Sequence, residues 1–297
     1  MKLRIGTRRS RLALAQAGEV AERLAGLGIE TELVPLSTAG DRGAPATASD
    51  AGVKGLFVAE IVQALVRGDV DLAVHSAKDL PAEDPEGVIV GAVPPRADPF
   101  DVVVTREPGA LADGASIGTS SLRRRAQLAR WRPALRIVEL RGNVDTRLAK
   151  LEAGDVDALV LAAAGLARLG VSPPHAFTLA TDVMVPAPGQ GALALQARGD
   201  DAATRGVLER LDDPPSRLAF EAERAVMAAL GGGCALPLGA YATAGVDGVR
   251  LIAVVATPGG TEVIRAHARA ADPTEAAGHV VQALRSAGAE RILSSLR

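Results

Sequence analysis

A single cysteine, Cys234, closes the run Leu230-Gly231-Gly232-Gly233-Cys234. A thiol there can act as a nucleophile or carry a covalent group, and glycines let other atoms approach the backbone closely. A lone cysteine is more often a small buried hydrophobe, but a glycine run suits a tethered group better than a packing residue. The second chemical feature is Asp79, beside Lys78 in a turn closed by Pro81. Such an acid is commonly a turn cap or a surface ion pair. Inside a cationic cleft, the same carboxylate would accept hydrogen bonds from ligand N–H groups and move protons. The third feature is Arg123-Arg124-Arg125, directly after Gly118-Thr119-Ser120-Ser121-Leu122. In the first turn of a helix these cations oppose the macrodipole, at roughly 0.3–1 kcal/mol each when exposed. An anionic ligand would reverse that sign by sharing its carboxylates between arginine forks and helix N–H groups. A solvated arginine face is the plain alternative.

The elements that must hold these groups alternate between strand and helix. Strands are expected at 2–7, 32–38, 71–75, 88–93 and 102–105, with helices at 10–27 and 57–67 and a long glycine-rich mobile loop at 40–55. The alternation resumes with strands at 116–118, 136–140 and 158–163 and helices at 120–131 and 144–152. It argues for parallel α/β sheets covered on both faces. The proline-rich stretches 94–99 and 186–191 read as two crossings between units. A helix at 216–230, three strands near 238–244, 249–256 and 262–269, and a helix at 273–287 suggest a small α+β unit at the C-terminal end. The expected domains are 1–95 with 192–212, 100–187, and 214–297. The charged motifs fall just past strand ends where helices begin, the edge at which open α/β sheets bind ligands. Arg141-Gly142-Asn143-Val144-Asp145-Thr146-Arg147 repeats that placement, with Asn143 as the expected cap.

The 297 residues are 48% hydrophobic with net charge −2, which excludes a globally basic nucleic-acid binder. Residues 116–170 nevertheless carry ten basic and five acidic groups. One cysteine allows no internal disulfide, and the four histidines form no ligand set with it, so no metal site is expected. His75, flanked by apolar residues, reads as a core histidine. No apolar run reaches membrane-spanning length, and a cytoplasmic monomer is expected.

The motifs Gly6-Thr7-Arg8-Arg9-Ser10 with Gln16, Lys54-Gly55-Leu56-Phe57, His75 through Pro81, Gly118 through Arg124, Leu140 through Arg147, Pro186 through Gly191 and Gly232-Gly233-Cys234 run in one order along the chain. Together they resemble the porphobilinogen deaminase family. The resemblance implies two type II periplasmic-binding-protein-like α/β domains around a cleft, plus the small α+β C-terminal domain. It implies a dipyrromethane cofactor thioether-linked to Cys234. On it, four porphobilinogen units are joined head to tail with loss of ammonia, and hydrolysis releases 1-hydroxymethylbilane. Asp79 matches the catalytic acid, with Lys78 and Arg8 beside it, and its implied roles include stabilising cationic azafulvene intermediates. Ser76, Thr119, Ser121, Arg123, Arg124 and Gly142 match cofactor-binding positions. Arg8, Ser10, Gln16, Lys54, Phe57, Arg141, Arg147, Arg168 and Gln190 match substrate-binding positions. The family pattern often has further lysines where this chain has Asp50 and Ala59, and proline where it has Arg11. A two-domain binding protein for a polycarboxylate, without catalysis, is the competing reading. A cysteine acyl-transfer enzyme would need a histidine brought near Cys234 by folding.

Overall fold

The computed structural model describes residues 1–37, 51–108, 111–231 and 236–296, with residues 51–57 described by backbone only. Strand β1 (Lys2–Arg8) buries Leu3, Ile5 and Thr7 and leads into helix α1 (Arg11–Gly26). Ser10 caps α1, its Oγ accepting the Ala13 N–H at 3.3 Å, and Ala13, Ala17, Val20 and Leu24 form the buried stripe. Strand β2 (Glu30–Leu36), helix α2 (Ala51–Val66), strand β3 (Leu72–Ser76) and strand β4 (Val88–Ala92) follow. Residues 51–55 are helical, not part of a loop as expected, while 40–50 lie outside the described residues. Ala51, Lys54 and Leu56 are good helix formers that continue α2 upstream, and the two glycines at 52 and 55 obscured them.

The second unit runs through β5 (Asp101–Thr105), β6 (Ser116–Gly118), α3 (Leu122–Trp131), β7 (Arg136–Val138), α4 (Val144–Glu152), β8 (Ala158–Ala162), α5 (Ala163–Arg168) and β9 (Ala176–Leu179). Strand β10 (Leu193–Arg198) then returns to the first sheet. The sheet orders are β2-β1-β3-β10-β4 and β7-β6-β8-β5-β9. Both are mixed, not parallel throughout as the strand–helix alternation suggests, because each takes in one strand on which the chain arrives from the other unit, and both have the same plan. Three parallel strands are followed by one antiparallel strand, β10 or β5, and then an edge strand. The antiparallel strand in each sheet is the one the chain enters after crossing from the other. The two proline-bearing crossings thus end inside the two sheets, and each sheet's core depends on the crossings being in place.

After α6 (Ala202–Leu208), helix α7 (Pro214–Ala229) starts the C-terminal unit, an antiparallel meander of β11 (Leu238–Gly245), β12 (Gly248–Ala256) and β13 (Val263–Ala270). Helices α7, α8 (Pro273–Ser286) and α9 (Ala289–Ser294) share its core of Val226, Leu230, Leu251, Val280, Leu284 and Ile292. This is the expected architecture of two α/β units and a smaller α+β one. The short elements α5, β9, β10, α6 and α9 were not foreseen. Residues 158–164 are one unbroken apolar run, so periodicity cannot show where β8 ends and α5 begins.

The third unit is fixed to both crossings at one buried node. Arg96 Nη1 and Nη2 donate to Glu223 Oε1 and Oε2 at 2.7 and 3.1 Å, and Arg96 Nε donates to the Gln190 carbonyl at 2.8 Å. The N–H groups of Gly189 and Ala242 donate to the same carboxylate at 2.6 and 2.7 Å. Burial pushes the Glu223 carboxyl up, against the pull of Arg96 and the two N–H groups.

Candidate active site

The turn carrying Asp79 is clamped from three sides. Strand β3 ends at Ser76 and passes into a single 3-10 turn, Ala77–Asp79, whose closing bond runs from the Leu80 N–H to the Ala77 carbonyl at 3.2 Å. Gln16 on α1 donates from Nε2 to Ser76 Oγ at 2.7 Å. The Ala77 N–H donates to the Ala192 carbonyl at 3.0 Å, which ties the turn to the return crossing. Gly189, at φ +73°, lies so close that a Cβ there would sit 2.8 Å from the Ala77 carbonyl carbon and 2.9 Å from the Lys78 nitrogen. Only glycine fits that approach. Behind the turn, Asp84 accepts from both Arg224 Nη atoms of α7 at 2.9 and 2.8 Å. His75 is buried on β3, and burial pushes its pKa down to about 4 against the opposite pull of Asp79 and Asp84. It is neutral at neutral pH and belongs to the core, as its apolar flanks indicated.

The arginines of α3 resolve differently from the expectation. Ser121 caps α3, its Oγ accepting the Arg124 N–H at 3.4 Å, and Thr119 Oγ1 accepts the Ser121 N–H at 3.1 Å. Arg123 and Arg124 are only 4% and 6% exposed. Arg123 donates to Asp101 Oδ2 and Oδ1 at 2.8 and 3.2 Å and to the Val185 carbonyl at 2.7 Å. Arg124 reaches Asp101 Oδ1 through Nε at 2.9 Å and Nη2 at 2.7 Å, and the Val160 carbonyl through Nη1 at 2.8 Å. Gln190 Nε2 also donates to Asp101 Oδ1, at 3.2 Å, and to the Pro99 carbonyl at 2.6 Å. The anion that answers the adverse dipole is therefore a residue of this chain, Asp101, at the start of the crossing strand β5. Its burial raises its pKa, and the two arginines outweigh that and hold it well below the usual carboxylate range. Only Arg125 of the triplet is exposed.

Arg147 has no acid partner among the described residues, and Arg168 has one acid and an unmatched donor. Arg147 on α4 is half-buried, and its hydrogen bond among the described residues runs from Nε to the Gly142 carbonyl at 2.8 Å. Its pKa is pushed down to about 10, by burial first and then by Arg124. Arg168, the last residue of α5, crosses to α1 and donates from Nε to Glu19 Oε2 at 2.9 Å. Its Nη2 is buried with no hydrogen-bond partner among the described residues. Arg141 is exposed and paired with Glu139 at 2.7 Å. Asn143 takes the cap position of α4 without a side-chain bond, and Gly142 adopts φ +122° just before it. Arg8 ends β1 at the same edge as Ser10. The side chains of Lys54 and Phe57, and Cys234 itself, lie outside the described residues.

Arg11 of α1 meets Asp145 in the first turn of α4 at 3.0 Å, and Glu19 meets Arg168, so the helices after the strand ends of the two sheets face one another. Sequence reasoning missed Asp101, Arg96, Glu223 and Glu19. Two of them left a readable signal. Asp101 is an acid heading the β-branched run Asp101-Val102-Val103-Val104, and Glu223 falls on the apolar stripe of α7 with Phe220, Val226 and Met227. An acid in either place needs a buried cation.

Such an arrangement is that of two α/β units facing one another across their strand ends, with the turn that carries Asp79 clamped at that edge. The family model described as porphobilinogen deaminase, dipyromethane cofactor binding domain, matches residues 3–206, and that of the porphobilinogen deaminase C-terminal domain matches residues 217–286. The chain belongs to the porphobilinogen deaminase family. It is 44% identical over 301 residues to a porphobilinogen deaminase of Brevibacillus brevis, covering 99% of this chain and 97% of that one. It is 45% identical over 300 residues to that of Rubrobacter xylanophilus, covering 100% and 98%. Among solved structures, a periplasmic substrate-binding protein of an ABC transporter from Coxiella burnetii aligns with TM-score 0.41 and 18% identity, over 75% of this chain and 96% of that one. Among the described residues, no helix is long and apolar enough to cross a membrane.

Proposed function

We propose that this chain is a transferase of tetrapyrrole biosynthesis. It condenses four porphobilinogen molecules head to tail, releasing one ammonia per unit, and frees 1-hydroxymethylbilane by hydrolysis. The working form is a cytoplasmic monomer whose dipyrromethane is attached as a thioether to Cys234. The folding units are 1–95 with 192–212, 100–187, and 214–297, in line with which strands share a sheet.

Dipyrromethane carries two acetates and two propionates, and the residues fit such a group. Arg147 has a carbonyl but no acid as its hydrogen-bond partner among the described residues, and the buried Nη2 of Arg168 has no partner among them. A buried guanidinium keeps its charge and needs an anion nearby. When bound, the cofactor supplies the pyrrole terminus to which substrate units are joined. Arg147, Arg168, Arg8 and Lys78 hold carboxylates of substrate and cofactor, with Ser10, Ser76, Thr119, Ser121, Gly142 and Arg141 around them. Arg123, Arg124, Gln16 and Gln190 act one step back. Through Asp101 and Ser76 they fix the strand ends on which those groups stand. Lys54 and Phe57 are assigned to substrate by their motif alone.

Asp79 performs the proton work. As a carboxylate it accepts the pyrrole N–H of substrate, and as the acid it gives its proton to the departing amine. The observation that carries this role is the three-sided clamp on the 77–79 turn, since a carboxylate must be held within a few tenths of an ångström to serve as acid and acceptor. The test is Asp79→Asn with porphobilinogen. Ammonia release should fall by about 100-fold or more, while substrate binding persists. Undiminished turnover would remove Asp79 from the mechanism. Binding without ammonia release in the unmutated protein would favour the polycarboxylate-binding alternative.

A further inference from the structure

We propose that Glu19 is an exchangeable counter-ion, holding Arg168 across the two α/β units until a carboxylate of the ligand takes its place. The inference rests on the reading that Arg168 binds ligand carboxylates, and it concerns what occupies Arg168 beforehand. Glu19 projects from α1 of the first unit, while Arg168 ends α5 of the second. They meet with Arg168 Nε donating to Glu19 Oε2 at 2.9 Å. The Arg168 side chain is 8% exposed, and that of Glu19 is 28% exposed.

The pair is asymmetric in what each partner keeps when it breaks. Glu19 also accepts from Arg23 Nη2 at 3.2 Å, one helical turn along α1, so it retains a cation and water. Arg168 retains no acid among the described residues, and its Nη2 is already without a partner there. A guanidinium cannot shed its charge, so its separation from Glu19 is favourable only when another anion arrives. The acetate and propionate groups of the ligand are such anions, and the Nη2 edge offers them a donor that Glu19 leaves free.

The Asp101 cluster shows the opposite design. There the acid and both arginines belong to one unit, all are buried, and the acid has no second cation to retreat to outside the cluster. That anion is permanent. Among the described residues, the other ion pair that spans the two units, Arg11–Asp145, has side chains 67% and 40% exposed and holds little.

The sign of the effect separates this role from a brace. A brace that is removed weakens ligand binding. A competing anion that is removed strengthens it. In the enzyme carrying its cofactor, Glu19→Gln should lower KM for porphobilinogen roughly two- to fivefold, and Arg168→Gln should raise it about tenfold. Glu19→Asp, a methylene too short to span the units, should also lower KM and guards against misfolding of the first variant. Hydrogen–deuterium exchange without substrate should be faster over 163–169 in Glu19→Gln than in the parent, and adding substrate should erase the difference. If Arg168→Gln raises KM while both Glu19 variants raise it or leave it unchanged, the exchange is overturned and the carboxylate role of Arg168 stands. If Arg168→Gln leaves KM unchanged, the carboxylate role of Arg168 falls, and the exchange with it.

Discussion

Replacing Asp101 with asparagine removes one charge and almost no volume, at the point where β5 enters the second sheet. In the intact protein that carboxylate accepts four N–H contacts of 2.7–3.2 Å from Arg123 and Arg124 and a fifth from Gln190 at 3.2 Å. An amide offers one acceptor oxygen to two buried guanidiniums and turns an NH₂ group toward them. Breaking a buried ion pair from one side costs about 3–5 kcal/mol, because a charge is left without compensation. Two arginines lose their partner here, so the upper part of that range is expected. For a chain of this size, each kcal/mol moves a melting point by about 2–4 °C, giving a fall on the order of 10 °C. Scanning calorimetry is the assay, read on the transition that involves the second unit, since the three units need not melt together. The triple variant Asp101→Asn, Arg123→Gln, Arg124→Gln has no buried charge left at this point and should recover part of the loss. A single-variant loss below about 1 kcal/mol, or a triple variant as unstable as its three single changes added together, would refute the claim that Asp101 is the resident anion of these arginines.

Three further outcomes follow from the same geometry. Gly189→Ala pushes a methyl into the Ala77–Lys78 backbone, with contacts near 2.8 Å and strain at positive φ, and should lower kcat by about tenfold or more with a smaller change in KM. An unchanged kcat would mean the turn is not held from that side. Arg147→Gln should raise KM about tenfold with a melting point within about 2 °C of the parent, whereas Arg123→Gln should lower the melting point. Equal behaviour of the two would contradict their different surroundings. His75 has a folded-state pKa of about 4 against 6.5 unfolded. The unfolded chain therefore takes up the proton first, and stability is complete above 6.5 and lost as pH falls toward 4. The loss at about pH 4.5 is roughly 2–3 kcal/mol. Urea unfolding of the parent and His75→Gln at both ends of that window measures it, and parallel pH dependences would count against the buried neutral histidine.

The site was legible to different depths in different residues. Asn143 stands at the expected cap position of α4 but makes no side-chain bond, whereas Ser10 and Ser121 cap α1 and α3, where the sequence marked only the starts of helices. The turn after β3 could be placed from Asp79 and Pro81, but not its clamp, because Gln16, Ala192 and Gly189 reach it from across the sheet and the return crossing. The arginine cluster was visible as a charge pattern while its partner was not. Asp101 lies 22 residues from Arg123 in a strand paired antiparallel to β8, and only that topology sets it against α3. The pairing of Glu19 with Arg168 spans 149 residues and two units, beyond any local pattern. Element types followed from periodicity for the longer helices and strands, while α6, α9, β9 and β10 are too short to show a period and at α5 an apolar run continues straight from strand into helix.

The most direct test of the central claim is the intact mass of the purified protein beside Cys234→Ser, with peptide mapping. The account predicts an excess equal to two porphobilinogens less two ammonias on the Cys234 peptide, present as isolated or gained on incubation with porphobilinogen, and absent from the variant. A Cys234 that stays unmodified after that incubation would contradict it.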